Sequence, residues 1–324
     1  MRRPLLAALE SPREPIPHAG GTLLVVDHVK RSFGSIKAVR DIGFTCPAGT
    51  VFGLLGPNGA GKTTMMRMIL GIFPPDSGTI TWQGRPIDRN ARRRFGYLPE
   101  ERGLYGKMRV LDHIVYFGRL HGLDEFDARD RAVVWLKTLG LEGNEKRACG
   151  ELSKGNQQKV QLACAILHEP DLLILDEPFS GLDPVNAEVI LDCIRLLASR
   201  GTTLLLSSHQ MWQIENACSA FTIIGAGEVR AAGTLAELRA GFPTRPVRVV
   251  PDLPAIRAAF ASCGAPEPHV DAGGALVYDL PVDADFGRLL RYAVAAGPLE
   301  TFQREEPSLN AIYMRALGTR ETAA

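Results

Sequence analysis

Apolar and polar positions change their spacing along this chain in a way that separates strands from helices. Residues 22–29 (Thr-Leu-Leu-Val-Val-Asp-His-Val) and 37–46 read as strands joined by a turn at Phe33-Gly34, and Gly78-Thr-Ile-Thr-Trp82 is a strand closed by a turn at Gln83-Gly84. Between them a β-rich apolar run, Val51-Phe-Gly-Leu-Leu55, enters a glycine-rich turn and leaves as a helix over 65–70. From 112 to 168 the spacing is helical: Leu111, Ile114, Val115 and Gly118 share a face, and Val133, Val134, Leu136 and Leu139 follow. Leu172-Leu-Ile-Leu175 is a continuous apolar run, as expected of a strand buried on both faces of a parallel sheet. Asp183-Pro184 supplies an N-cap and a first-turn proline for a helix reaching Ser199. A strand at 202–206 and a hairpin over 221–230, turning at Gly225-Ala-Gly-Glu, follow it.

Beyond Gly241 the texture changes. Phe242-Pro-Thr-Arg-Pro-Val reads as a proline-punctuated linker. After it come a short strand at 247–250, a helix at 254–262, a strand at 275–280, a helix at 286–296, a strand near 299–302 and a last helix from Pro307. The pattern predicts an α/β core, with short antiparallel strands beside a parallel sheet and a helical part near 105–165, then a small α+β module over 242–324.

The length of 324 residues accommodates two domains. Apolar residues at 45% and charged residues at 23% are those of an ordinary soluble protein, and a net charge of +1 gives no pull toward nucleic acid. The six cysteines are scattered with no C-x-x-C pair, which reads as core or surface thiols in a reducing compartment. No apolar run approaches the ~18 residues needed to span a bilayer. The apolar patch after Met1-Arg-Arg ends at Glu10, too short for a signal-peptide core, so residues 1–20 read as a disordered leader and the protein as cytoplasmic.

The chemistry centres on Gly56-Pro57-Asn58-Gly59-Ala60-Gly61-Lys62-Thr63-Thr64, a G-x-x-x-x-G-K-[ST] loop with a strand before it and a helix after it. Gly56, Gly59 and Gly61 can take φ > 0, so that successive N–H groups converge on phosphate oxygens. The helix N-terminus adds partial positive charge. Lys62 can reach the β- and γ-phosphates, and the Thr63 hydroxyl can ligate Mg²⁺. Asp176-Glu177 ends the buried run, where parallel sheets bind ligands. Asp176 is placed to hold the metal, and Glu177 to orient or deprotonate a water.

Further motifs stand in order with these: Leu152-Ser153-Lys154-Gly155-Asn156-Gln157-Gln158, then Ser180-Gly-Leu-Asp183, then His209. Residues 22–240 thereby resemble the ATP-binding subunit of an ABC transporter, which makes 21–241 an ATP-binding cassette with a helical subdomain near 105–165. The resemblance implies ATP and Mg²⁺, with Phe33 stacking on adenine, 56–64 as the Walker A loop and Asp176 and Glu177 as the Walker B pair. It implies that Ser153, Gly155 and Asn156 contact the γ-phosphate held by an opposite subunit, that Asp183 is the D-loop aspartate, and that His209 is the switch histidine. Catalysis falls to Glu177, His209 and Lys62.

Two positions depart from the usual pattern. The signature reads Ser153-Lys154-Gly155-Asn156, and Glu100 stands where a glutamine would sense the metal, making a carboxylate the third candidate ligand beside Thr63 and Asp176. Both departures, in Leu98-Pro-Glu-Glu-Arg-Gly-Leu-Tyr105 and 152–158, resemble the sodium-extrusion (NatA-like) exporters. The resemblance implies a separate membrane permease subunit, which the loop 100–108 is expected to meet because it links the γ-phosphate site to the helical part. It also implies a second ATP-binding subunit, expected to be an identical chain with a different one left open. Two other readings stay open at this point: a soluble ABC ATPase acting on nucleic acid or ribosomes, and a nucleotide-gated regulatory module.

Overall fold

The computed structural model describes residues 22–101, 103–208, 211–271 and 273–318. The leader read over 1–20 and the switch histidine His209 lie outside the described residues. Two compact units form, one ending at Ala232 and one beginning at Gly233.

The first unit is built on one continuous sheet. β1 (Thr22–Phe33) and β2 (Ile36–Pro47) run antiparallel, with Phe33 opposite Ile36, so the hairpin is longer than its alternation suggested and turns at Gly34-Ser35. β3 (Val51–Leu55) leads through the glycine loop into helix α1 (Lys62–Ile69). β4 (Ser77–Trp82) and β5 (Arg85–Pro86) extend the antiparallel edge, and α2 (Arg89–Arg93) returns to β6 (Phe95–Leu98). Helices α3 (Val110–Leu120), α4 (Glu125–Thr138) and α5 (Lys154–Ile166) form the helical part. Then come β7 (Leu172–Asp176), α6 (Pro184–Ser199), β8 (Thr203–Ser208), α7 (Met211–Ile214), β9 (Ala220–Gly225) and β10 (Glu228–Gly233).

The strand order is β5-β4-β1-β2-β10-β9-β3-β8-β7-β6. β3, β7 and β8 are buried at every residue, which explains their unbroken apolar runs. Their C-terminal ends, parallel and adjacent, put the glycine loop, Asp176-Glu177 and Ser207-Ser208 on one edge. Helix α5 shows no clear apolar stripe because ten of its residues are buried.

Close packing also fixes Gly96, on β6. A Cβ built there would stand 2.3 Å from the Ala165 carbonyl oxygen of α5, a backbone atom that cannot swing aside. Gly96→Ala is expected to cost about 1–3 kcal/mol of stability through overpacking, read as a lower urea midpoint; an unchanged midpoint would mean that α5 can retreat from β6. Five of the six cysteines are buried, and burial pushes the thiols of Cys46 and Cys193 up to about 12.

The second unit is a βαββαβ arrangement. β11 (Thr244–Val250), α9 (Pro254–Ser262), β12 (His269–Val270), β13 (Leu276–Pro281), α10 (Phe286–Ala296) and β14 (Thr301–Arg304) form an antiparallel sheet ordered β12-β13-β11-β14, the ferredoxin-like topology. Val247, Val249, Leu276, Tyr278 and Leu280 on the sheet meet Ile256, Phe260, Leu289 and Ala293 on the helices. Helix α8 (Leu235–Ala240), held by a Thr234/Glu237 capping box, precedes the sheet, and α11 (Leu309–Ala316) follows it.

The linker reading of Phe242-Pro-Thr-Arg-Pro-Val is corrected here. Thr244 to Val247 already belong to β11, an inner strand in which Arg245, Val247 and Val249 are buried in alternation. Pro246 is tolerated because the ladder uses its carbonyl, which accepts from the Glu305 N–H at 2.8 Å.

Candidate nucleotide site

The glycine loop needs two different kinds of glycine. Gly59 and Gly61 adopt left-handed φ of 78° and 102°, as expected. Gly56 is not among the positive-φ glycines, contrary to the expectation; what excludes a side chain there is the Ile224 carbonyl oxygen, 2.5 Å from where a Cβ would stand. Gly61 is constrained twice, since its Cβ would also lie 2.6 Å from the Ala38 oxygen. The loop therefore wraps a cleft of about 420 Å³ lined by its own residues together with Glu100, Asp176 and Glu177.

Inside the cleft the polar groups hold one another. The Lys62 ammonium is buried; it donates to the Gly56 carbonyl at 2.7 Å and the Pro57 carbonyl at 3.3 Å, and lies 3.5 Å from Glu177 Oε1. Thr63 Oγ1 donates to Asp176 Oδ2 at 2.8 Å. Ser207 Oγ donates to Asp176 Oδ1 at 2.7 Å and accepts from the Glu177 N–H at 2.9 Å. Both Asp176 oxygens are thus aimed by hydroxyls. Glu177 itself takes φ of 51°, a left-handed value uncommon for a side-chain-bearing residue and costing about 1–3 kcal/mol.

Ser207 is a site residue that local sequence did not reveal. It enters because β8 runs parallel to β7 in a register that places Ser207 opposite Asp176. Ile36, Lys37 and Ala38, at the start of β2, also line the cleft and carry no motif.

The remaining predicted residues stand elsewhere. Phe33 is about half exposed at the hairpin end, beside its register partner Ile36. Ser153 caps α5, accepting from the Asn156 N–H at 3.3 Å, and Asp183 caps α6, accepting from the Asn186 N–H at 3.0 Å. Those bonds from Asn186 hold the Asp183 carboxyl below the usual carboxylate range. Gly155 is covered by the Asn186 side chain, so signature and D-loop segments pack together. None of Ser153, Gly155, Asn156 and Asp183 lines the cleft. Two glutamines of α5 tie it to the segments that follow β7 and β6: Gln158 Nε2 donates to the Pro178 carbonyl at 3.4 Å, and Gln161 Nε2 to the Glu101 carbonyl at 3.1 Å.

A second, more apolar hollow of about 390 Å³ lies between the β6 end and the helical part, lined by Leu70, Phe95, Leu104, His113 and Phe117 among others. Tyr105 and Tyr116 are exposed beside it, edge-on to each other and packed against Phe117. Burial drives His113 down to about 4, leaving it neutral. Tyr97 lines this hollow too, and its phenol is raised first by burial and then by the charge of Asp176.

The family described as ABC transporter matches residues 39–180. An uncharacterized ABC transporter ATP-binding protein of Bacillus subtilis, YhaQ, is 40% identical over 296 residues, 91% of this chain and 99% of that one. The ABC transporter ATP-binding protein NatA of the same organism is 39% identical over 209 residues, 63% of this chain and 84% of its own. Among solved structures, an ATP-binding subunit of an ABC transporter aligns with a TM-score of 0.63 at 34% identity, over 68% of this chain and 92% of that one.

Proposed function

The chain belongs to the ATP-binding proteins of ABC transporters, and on that premise we propose that Lys62, Thr63, Asp176 and Glu177 are the residues with which it hydrolyses ATP to drive a membrane permease. The observation that carries this is the cleft in which the glycine loop, Lys62 and the two carboxylates meet.

The loop N–H groups and the N-terminus of α1 receive the phosphates, and Lys62 supplies positive charge beside them. Lys62 exchanges its bonds to the Gly56 and Pro57 carbonyls for phosphate oxygens when nucleotide enters. Glu177, aimed by its backbone bond to Ser207, accepts the proton of a water attacking the γ-phosphorus, so that ADP and inorganic phosphate leave. Thr63 and Asp176 fit a Mg²⁺ ion, because they offer hard oxygen donors already 2.8 Å apart and such ions complete their shells with phosphates and water. Glu100, in the same lining, is the candidate third ligand. Bound there, the metal would neutralise charge on the β- and γ-phosphates.

The signature residues point to a second subunit. Ser153, Gly155 and Asn156 sit at a helix N-terminus away from their own cleft, which suits completion of the nucleotide site of an identical chain. Phe33 is assigned to the adenine, and His209 to the γ-phosphate.

Among the described residues no helix is long and apolar enough to cross a membrane. Transport is assigned to a separate membrane-spanning permease, on which this chain docks at the inner face of the membrane through the apolar hollow and the loop 100–108. Resemblance to the NatA-like branch supports export, with sodium ions as one cargo to test.

The test is affinity purification of the Glu177→Gln protein from gently solubilised native membranes with Mg-ATP, followed by mass spectrometry. Recovery of a multi-spanning permease in near-equal amount is expected. Recovery of ribosomal or DNA-bound proteins alone would overturn the permease-driving assignment.

A further inference from the structure

We propose that Arg31, anchored by Asp76, is the positioning residue that sets Phe33 as a platform for the adenine base. This inference rests on the reading of Phe33 as the base-stacking ring. Phe33 is 45% exposed at the end of a hairpin, a place where an aromatic ring is ordinarily mobile. Here it is braced. The Arg31 guanidinium carbon lies 4.9 Å from the Phe33 ring centre and 5.2 Å from that of Phe73. The two rings meet edge to face, with centres 5.5 Å apart and planes at 88°.

The guanidinium is itself held. Arg31 Nη1 donates to Asp76 Oδ1 at 2.8 Å and to the Pro74 carbonyl at 3.2 Å. The other Asp76 oxygen accepts from the Ser32 N–H at 2.7 Å, and the Asp76 N–H donates to the Lys30 carbonyl at 2.8 Å. Residues 74–76, which follow the phosphate-binding helix α1, are thereby stitched to β1 at residues 30–32. The platform and the phosphate site are parts of one assembly, and Ile36, the register partner of Phe33, already lines the cleft.

Two consequences follow. A ring held before nucleotide arrives loses less freedom on binding, so more of the stacking energy appears as affinity. A cation over one side of the ring also fixes which surface remains open to a purine. Arg31 then acts on the base alone and not on the triphosphate. Its effect belongs in ATP affinity rather than in the rate of the bound complex.

The experiment uses the full chain and follows phosphate release, with inorganic tripolyphosphate as a competitor that has no base. Phe33→Ala should raise the KM for ATP by about ten-fold through lost stacking, with the Ki of tripolyphosphate unchanged. Arg31→Ala should raise it by roughly three- to five-fold, leaving kcat and that Ki unchanged. Arg31→Lys, which keeps the cation but not the planar guanidinium, should recover part of the loss. The double substitution should be no worse than Phe33→Ala, because Arg31 works through the ring. If Phe33→Ala weakens ATP but Arg31→Ala does not, or its cost adds to that of Phe33→Ala, the positioning role is overturned while base stacking stands. If Arg31→Ala changes kcat and the tripolyphosphate Ki together with KM, Arg31 is structural and the inference is overturned. If Phe33→Ala leaves the KM for ATP unchanged, the stacking assignment itself is overturned.

Discussion

Replacing Lys62 with alanine is expected to reduce ATP turnover by about 10²–10³-fold or more, the scale for losing one preorganised electrostatic contact to developing charge. Nucleotide binding should weaken with it, because the ammonium is buried among the loop carbonyls and beside Glu177. The substitution also removes the positive charge 3.5 Å from a buried carboxylate. A lower melting temperature without nucleotide should therefore accompany the lost activity. Phosphate release and equilibrium nucleotide binding on the purified variant decide the matter. Turnover at the parent rate would show that the phosphates bind elsewhere, and the whole cleft assignment would fall with it.

Glu177→Gln should separate binding from chemistry. The amide has the shape of the carboxylate and leaves the backbone bond to Ser207 Oγ in place, so ATP should still bind. It cannot accept a proton from water, and loss of a general base is worth roughly 10²–10⁴-fold in rate. With hydrolysis blocked, ATP shared between one chain's glycine loop and the partner's signature should hold two copies together. Size-exclusion chromatography with Mg-ATP should show a dimer that disperses with ADP. A variant that remains monomeric with ATP and hydrolyses it normally would remove Glu177 from the role of base.

The two variants discriminate by design. Lys62 acts on substrate and transition state alike, so its loss removes affinity and rate together; Glu177 acts on the attacking water, so its loss spares affinity. A pattern in which Glu177→Gln mainly weakens ATP binding would suggest instead that this carboxylate, 5% exposed and next to Lys62, serves to orient the lysine.

What could be read from sequence is what is local. Nine consecutive residues, 56–64, make the turn and bring Lys62 and Thr63 to the cleft, so the loop was legible without any partner strand. The unbroken run of β7 announced a strand buried on both faces, and with it the place of Asp176-Glu177. Ser153 and Asp183 were legible as caps, since a cap is completed three residues away.

The misreadings share a cause, which is contact with distant backbone. Gly56 looked like a residue needing left-handed φ, yet the Ile224 oxygen is what excludes a side chain there. Pro246 looked like a breaker, yet pairing to β13 and β14 makes an inner strand of Thr244–Val250.

Sequence alone determined the glycine-loop turn, the place of Asp176-Glu177 at a strand end and most of the alternation of strands and helices, because each is written in a short local run; the family came from the resemblance of its motifs. Tertiary structure alone decided that Ser207 aims Asp176, that Gln158 and Gln161 tie α5 to the segments after β7 and β6, and that Arg31 and Asp76 brace Phe33. Those depend on strand register and on chain segments dozens of residues apart meeting in space. No periodicity in a single strand or helix encodes which neighbour it will meet.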